Sequence, residues 1–422
     1  MFGVVIMKNK YVLTTLTVIF GVAAMFLFTK VFSGSEDSKV LKVGFIYNAD
    51  RATAYTINFF RAQTELEDAF GERVQVFAKY NVGESGEPCE KAIENLVAEG
   101  CRLIFAVSYG HGEAVKEAAE RHPEIQFCHA TGDLADKEPV LPNYHTFMGT
   151  IHEGRYVCGI IAGMKLSELI SKGKIKRNQA KVGYVGAFSY AEVISGYTAF
   201  FLGVRSIVPE AEMFVRYTNT WSNHVIEKKT AEQLINEGCV IISQHSDTAG
   251  SAIACEEASV KRGRTVFHVG YNQSMTDVAP TTSLVSCRID WAPYILGAAK
   301  AVLSGKSIEK SVKSPYTTKD SAAGFDRGWI EIVGLNRHIL APGTEEALEK
   351  AVQLFKDGNI TVFQGNYSGV NPFDENDVWD LRKPFIECET RSAPSFCYVL
   401  KDVITVEEHD VVAEVQGKVE VM

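Results

Sequence analysis

An internal repeat constrains this chain more than any other feature. The run Val43-Gly44-Phe45-Ile46-Tyr47 returns 139 positions later as Val182-Gly183-Tyr184-Val185-Gly186. Leu96-Val97-Ala98-Glu99-Gly100-Cys101, which leads into Leu103-Ile104-Phe105-Ala106-Val107, returns as Leu234-Ile235-Asn236-Glu237-Gly238-Cys239 ahead of Val240-Ile241-Ile242; Cys101 and Cys239 are 138 positions apart. Phe127, inside Ile125-Gln126-Phe127-Cys128-His129, matches Phe267 at a separation of 140. Three correspondences at nearly one separation describe a duplicated structural unit.

Each copy reads as strand, helix, strand, helix, strand, helix, strand. The strands are short, continuously apolar runs, the pattern of a parallel sheet covered by helices on both faces. In the helix opened by Pro88, the residues Ala92, Ile93, Leu96 and Val97 form one apolar stripe. Proline suits the first turn, where its missing N–H has no partner in any case. Gly100 and Gly238 stop the equivalent helices because glycine takes the left-handed cap at little cost. The expected fold is α/β, two lobes that are each a parallel sheet flanked by helices.

Ligands of open parallel sheets bind beyond the carboxyl ends of the strands, so the expected site is the cleft between the lobes. The first lobe offers Asn48 to Tyr55, Ser108, Tyr109, His111 and Asp133 there. The second offers Phe188, Glu192, Asn219, Trp221, Gln244, His245, Asp247 and Asn272. Aromatics mixed with neutral hydrogen-bonding groups and a few carboxylates suit a polar, ring-bearing small molecule. Tyr55, Tyr109, Phe188 and Trp221 are candidates for stacking on a flat ring; each could equally cover the edge of the core. Asp247 and Glu192 could contact the ligand, or serve as a helix cap and a first-turn carboxylate.

Ser108, His111 and Asp133 could be assembled on paper into a catalytic triad, with His129 or His245 as alternative bases. There is no G-x-S-x-G elbow, no dinucleotide fingerprint around Gly110-His111-Gly112 and no Walker lysine, so catalysis is not expected. Neither a metal site nor a cofactor is expected, since no Cys/His set has zinc spacing. The net charge of −9 and the absence of a Lys/Arg cluster argue against nucleic acid as a partner. Cys388 and Cys397 are near enough in sequence to pair, whereas Cys101, Cys128 and Cys239 fall in apolar runs and read as buried thiols. At the N-terminus, Lys8 and Lys10 precede an uncharged apolar run from Tyr11 to Phe28, followed by the small, polar stretch Ser33 to Ser38. That is the pattern of an export signal or, at this length, a membrane anchor.

His152-Glu153-Gly154-Arg155-Tyr156-Val157-Cys158-Gly159-Ile160-Ile161-Ala162-Gly163, together with Val182 to Phe188, Asn219-Thr220-Trp221, Gln244 to Asp247 and Gly270-Tyr271-Asn272, resembles the basic-membrane-protein family of ABC-transporter substrate-binding proteins. The resemblance runs from about Lys42 to about Gly305. It implies a type I periplasmic-binding fold with hinge strands near Gly149 and Tyr271 and again further on. It implies a purine nucleoside or nucleobase held between aromatics, with Phe188 at a position beside the base, Tyr55 where relatives carry an aromatic and Asn58 on the same segment. Asn272 stands where the family carries an aspartate that meets the ribose diol. Asparagine lacks that charge, so a free base competes with the nucleoside, unless nearby Asp290 compensates.

These readings divide the chain into an export or anchor segment at 1–40, a first lobe at 41–148 plus about 272–315, and a second lobe at 149–271 plus part of 316–365. Residues 366–422 form a C-terminal extension without an assigned role. The expected protein is extracytoplasmic and monomeric, closes on a small molecule and presents the closed shape to a membrane permease. Its rivals are an anchored ligand sensor of the same fold and a nucleoside hydrolase.

Overall fold

The computed structural model describes residues 40–50, 53–84 and 86–407. The expected export segment, Arg51 and Ala52 of the first loop, and the end of the C-terminal extension lie outside them. The first half of the duplicated unit runs β1 (Leu41–Ile46), α1 (Thr56–Phe70), β2 (Val74–Lys79), α2 (Glu87–Ala98), β3 (Leu103–Ala106), α3 (Gly112–Arg121), β4 (Gln126–Ala130) and β5 (Tyr144–Gly149). Helix α4 (Ile151–Ser171) then leads to the second half. That half contains β6 (Lys181–Gly186), α5 (Ala191–Ile207), β7 (Glu212–Tyr217), α6 (His224–Asn236), β8 (Ile241–His245), α7 (Gly250–Arg262), β9 (Phe267–Tyr271) and β10 (Ser283–Ile289).

The strand order is β5-β4-β3-β1-β2 in one sheet and β10-β9-β8-β6-β7 in the other, every neighbouring pair parallel. The sequence repeat is therefore a repeat of topology, and it extends one strand further in each half than the apolar runs suggested. It even includes a backbone irregularity. Thr131 after β4 and Asn272 after β9 both hold φ near +60° (62° and 65°), a conformation uncommon outside glycine. Pro88 lies in the first turn of α2, and Gly100 and Gly238 have φ of +85° and +94° after their helices.

The remaining elements are α8 (Ala292–Leu303), α9 (Ile308–Val312), β11 (Asp320–Ala323), β12 (Ile330–Val333), α10 (Thr344–Lys356), β13 (Ser368–Asn371), β14 (Asp374–Asp380), β15 (Val399–Leu400) and β16 (Ile404–Glu407). The chain passes between the sheets three times: after β5, after β10 and between β11 and β12. The crossing expected near Tyr271 is thus displaced to Ile289, because β10 stays paired with β9. Strand β11, inside the 316–365 range of which part was expected in the second lobe, joins the first sheet beside β5. After the second crossing, α8 packs on the first lobe, where Trp291 stacks on Phe59 at 4.4 Å and Tyr294 on Phe147 at 3.7 Å. Burying one such aromatic is worth roughly 2–3 kcal/mol.

The family-like motif in α4 has a packing role. A methyl group on Gly159 would overlap the Phe200 carbonyl oxygen, and one on Gly203 would overlap that of Tyr156. Gly163 faces the Val204 carbonyl in the same way. These glycines let α4 and α5 approach backbone to backbone. Glu153 secures the start of α4 to the third crossing: its carboxylate accepts from Thr150 Oγ1 at 2.6 Å and from the Phe325 N–H at 3.0 Å.

The C-terminal extension is folded onto the second lobe. Strands β13, β14 and β15 form a small antiparallel sheet, while β16 adds a parallel strand to β7 at the edge of the larger sheet. All nine cysteines are free, so the Cys388–Cys397 bridge that the sequence allows is not formed. The Cys388 thiol instead meets the Ser392 carbonyl at 3.3 Å, and the Cys397 thiol the Asn371 side-chain oxygen at 4.0 Å.

Candidate functional site

Strand ends from both lobes meet across the cleft. The loop before α1 lies over the second sheet, where the Ala54 N–H donates to the Asp247 carbonyl at 3.3 Å. Asn58, buried in α1, donates from Nδ2 to the Asn272 carbonyl at 3.0 Å and to the Ala54 carbonyl at 3.0 Å. Tyr55 anchors the same loop within its own lobe: its hydroxyl donates to the Val107 carbonyl at 2.5 Å, and its ring meets Trp291 edge-on. Burial raises the Tyr55 hydroxyl well above its usual pKa, with Glu192 and Asp247 of the opposite lobe adding to the effect.

On the second lobe, Asp247 is the centre of the constellation. Asn272 Nδ2 donates to its carboxyl at 3.3 Å, and its backbone N–H reaches the Trp221 carbonyl at 2.8 Å. Burial, with Glu227 behind it, pushes the Asp247 carboxyl up to about 8. At neutral pH this side chain is largely an uncharged acid, offering one O–H donor beside one acceptor. Asp247 is not the helix cap that its spacing allowed, for α7 begins at Gly250 behind Ala249. Glu227, also buried, holds the turn by accepting from the Thr248 hydroxyl at 2.7 Å and its N–H at 3.2 Å.

Glu192, in the first turn of α5, accepts from His245 Nε2 at 3.3 Å. The His245 imidazole is pushed down to about 4, first by burial and next by Arg155, and is neutral at physiological pH. Arg155 was missed as an individual residue, although an arginine inside the apolar stretch of α4 was its available signal. It is buried, donates from Nη1 to the Gln244 carbonyl at 2.8 Å and lies over the Tyr271 ring at 3.6 Å. This cation–π contact lies beside a charge that, among the described residues, has no carboxylate within salt-bridge distance. At the rim, Phe188 stacks on Tyr190 at 5.2 Å and meets Trp221 edge-on at 5.4 Å, while Trp221 lies 6.2 Å from the His245 ring.

Other expected residues have different surroundings. Ser108 donates to the Glu84 carboxylate, and its carbonyl accepts from His129 Nε2 at 2.8 Å. The Ser108–His111–Asp133 arrangement is therefore not assembled through the Ser108 hydroxyl. His129 also accepts from the Tyr144 hydroxyl at 3.0 Å, as a satisfied core residue would. Tyr109 is 59 % exposed, too open for a buried stacking partner. Asn219 is exposed and holds φ of +52°, a conformation asparagine tolerates in turns. Asp290 does not compensate at Asn272: its carboxylate accepts from the Ala292 N–H at the start of α8. Among the described residues, no group of three or more His, Cys, Asp or Glu could hold a metal ion, and no helix is long and apolar enough to cross a membrane.

The model of the PnrA-like ABC transporter substrate-binding proteins matches residues 59–348. The chain belongs to this family. A purine-binding protein of Brucella abortus is 32% identical over 267 residues, which cover 63% of this chain and 69% of that protein. A protein of Haloferax volcanii described as an ABC transporter glucose-binding protein is 31% identical over 205 residues; the match spans 49% of this chain and about half, 47%, of that protein. The fold is that of a solute-binding protein of an ABC transporter from Aeropyrum pernix, with a TM-score of 0.60, 16% identity and coverage of 80% of this chain and 95% of that one. Members of this family bind small molecules outside the cytoplasm and deliver them to a membrane permease.

Proposed function

We propose that this chain captures a purine base or nucleoside by closing its two lobes over it and hands it to an ABC permease. The observation that carries this reading is the Asp247–Asn272 pair, joined through the Asp247 N–H to Trp221, whose ring meets Phe188, and bonded from the other lobe by Asn58. A protonated carboxyl next to a carboxamide presents adjacent donors and acceptors, which match the polar edge of a purine. An aromatic rim supplies stacking worth about 1–3 kcal/mol per base. The similarity to the Brucella purine-binding protein supports the same class.

The binding set within this proposal is Tyr55, Asn58, Phe188, Glu192, Trp221, His245, Asp247 and Asn272. Hinge motion between the sheets lets the ligand touch both lobes only in the closed form, so ligand shifts the population toward it. No covalent step is needed. The N-terminal apolar run would export the protein, which would act as a monomer.

The test is calorimetric titration of the purified protein with adenine, guanine, their nucleosides and glucose, alongside mass spectrometry of co-purified small molecules. Saturable binding of a purine, recovered unchanged, is the expected result. Binding of glucose with silence toward every purine would overturn the ligand class, and release of free base from a nucleoside would favour the hydrolase.

A further inference from the structure

The segment that follows β14, from Phe385 to Phe396, touches both lobes beside the chain crossings. On the second lobe, Ser195 of α5 donates to the buried Glu387 carboxylate at 2.8 Å. The other bonds to that carboxylate come from the segment itself: the Ser395 N–H at 2.6 Å and hydroxyl at 2.9 Å, and the Phe396 N–H at 3.0 Å. Phe396 is fully buried and stacks at 4.1 Å on Phe363, which in turn lies against His152 at the start of α4.

On the first lobe the contacts are of another kind. The Tyr316 hydroxyl, four residues before β11, reaches the Cys388 carbonyl at 2.6 Å and the Arg391 carbonyl at 3.0 Å. The Ser392 N–H donates to Asp320 Oδ2 at 2.5 Å. Asp320 Oδ1 is engaged separately by Thr146 Oγ1 of β5 and by the Ser321 N–H, each at 2.8 Å, which fixes the carboxylate to the first sheet. One short, locally braced segment is thus fastened to each lobe, through Ser195 of α5 on one side and through Tyr316 and Asp320 on the other.

From this geometry we infer that residues 385–396 are a strap that holds the lobes together and biases the ligand-free protein toward the closed form. Rotation of the lobes about their crossings moves Tyr316 and Asp320 relative to Ser195. Hydrogen bonds weaken steeply beyond about 3.5 Å, so opening has to release the strap from one side. The weaker attachment is the first-lobe side, where a hydroxyl and a backbone N–H hold it without hydrophobic burial. The second-lobe side keeps Phe396 and Glu387 in place, since freeing them would expose an aromatic ring and strip a buried carboxylate of its donors. The inference goes beyond the ligand assignment and requires only that the lobes move on their crossings.

Spin labels on Glu117→Cys in α3 and Asn236→Cys in α6 read the distance between lobes in the ligand-free full chain, so the outcome does not depend on which ligand the cleft takes. The parent is expected to give a narrow distribution at the short distance. Tyr316→Phe removes two strap contacts, and Asp320→Asn removes one while leaving Oδ1 bonded. Each should raise the open-to-closed ratio about tenfold, the effect of one or two ordinary hydrogen bonds. Ser195→Ala, a milder change on the other lobe, should shift the ratio in the same direction. Thermal unfolding of each variant checks that the fold is retained. A distribution identical to the parent in all three folded variants would overturn the strap, as would a parent already dominated by the long distance.

Discussion

At the tips of the first sheet, Ser108 and His129 are bonded within their own lobe: Ser108 to Glu84, and His129 to the Ser108 carbonyl and the Tyr144 hydroxyl. At the tips of the second sheet, Asp247, Glu192, His245 and Arg155 form a cluster in which burial, with Glu227 and Glu192 nearby, raises the Asp247 carboxyl, and burial, with Arg155 nearby, lowers the His245 imidazole. The two sheets share one strand order. Duplication therefore preserved the scaffold and left the loops free to diverge; under the proposed function, discrimination among ligands would fall mainly to the second lobe and closure mainly to the first.

Several substitutions put this asymmetry at risk. Asp247→Leu should weaken ligand binding about 100-fold, because it leaves the ligand's polar edge and Asn272 without a partner; calorimetry on the folded variant measures it. Trp221→Ala should cost about 10- to 100-fold in affinity, within the range of aromatic stacking, whereas Tyr109→Ala on the exposed first-lobe tip should change it less than about twofold. Equal losses at Trp221 and Tyr109 would mean that both lobes discriminate. If Trp221→Ala lowers the melting temperature and leaves affinity intact, the indole is part of the core.

A pH titration of stability probes the same contrast. Asp247 is raised to about 8 and Glu153 to about 7, both chiefly by burial. Between their ordinary values and these, the folded chain keeps protons that the unfolded chain has released, so each group makes stability fall as pH rises. His129, His152 and His245 are lowered to about 4 and His268 to about 3, again by burial. They act oppositely, making stability rise from about pH 4 to about 6.5. Above about pH 7.5 the histidines are largely neutral in both states and the carboxyls dominate. Denaturant midpoints should decline from about pH 7.5 to about 8, and Asp247→Asn should flatten that decline by up to about 1.4 kcal/mol per pH unit. The smallest change expected is in the first lobe: Tyr144→Phe should lower stability by about 1 kcal/mol and leave affinity unaltered.

Much of this was legible in the chain itself, because duplicated apolar runs and glycine stops report directly on parallel strands and their helices. The strand ends that border the cleft followed from topology, since they can be read by position. What stayed hidden depended on contacts between distant parts. Asp247 carries the same local signature as a helix cap, and only its meeting with Asn272 and Glu227 distinguishes it. The crossing after Ile289 was misplaced because the loop after Tyr271 looks like an exit, whereas β10 returns alongside β9. Cys388 and Cys397 are close along the chain, but each thiol is directed to a separate oxygen acceptor. The glycines of α4 read as a family signature, and their physical reason emerges only once α5 lies against them.

Strand β16 carries a consequence for how this protein behaves in a crowded solution. Its pairing with β7, secured by Arg216 and Glu407 at 2.7 Å, occupies a row of amides that would otherwise face solvent. An unprotected sheet margin of that kind recruits strands from neighbouring molecules. Proteolytic trimming ahead of Ile404 would therefore be felt first as self-association, well before any loss of ligand affinity.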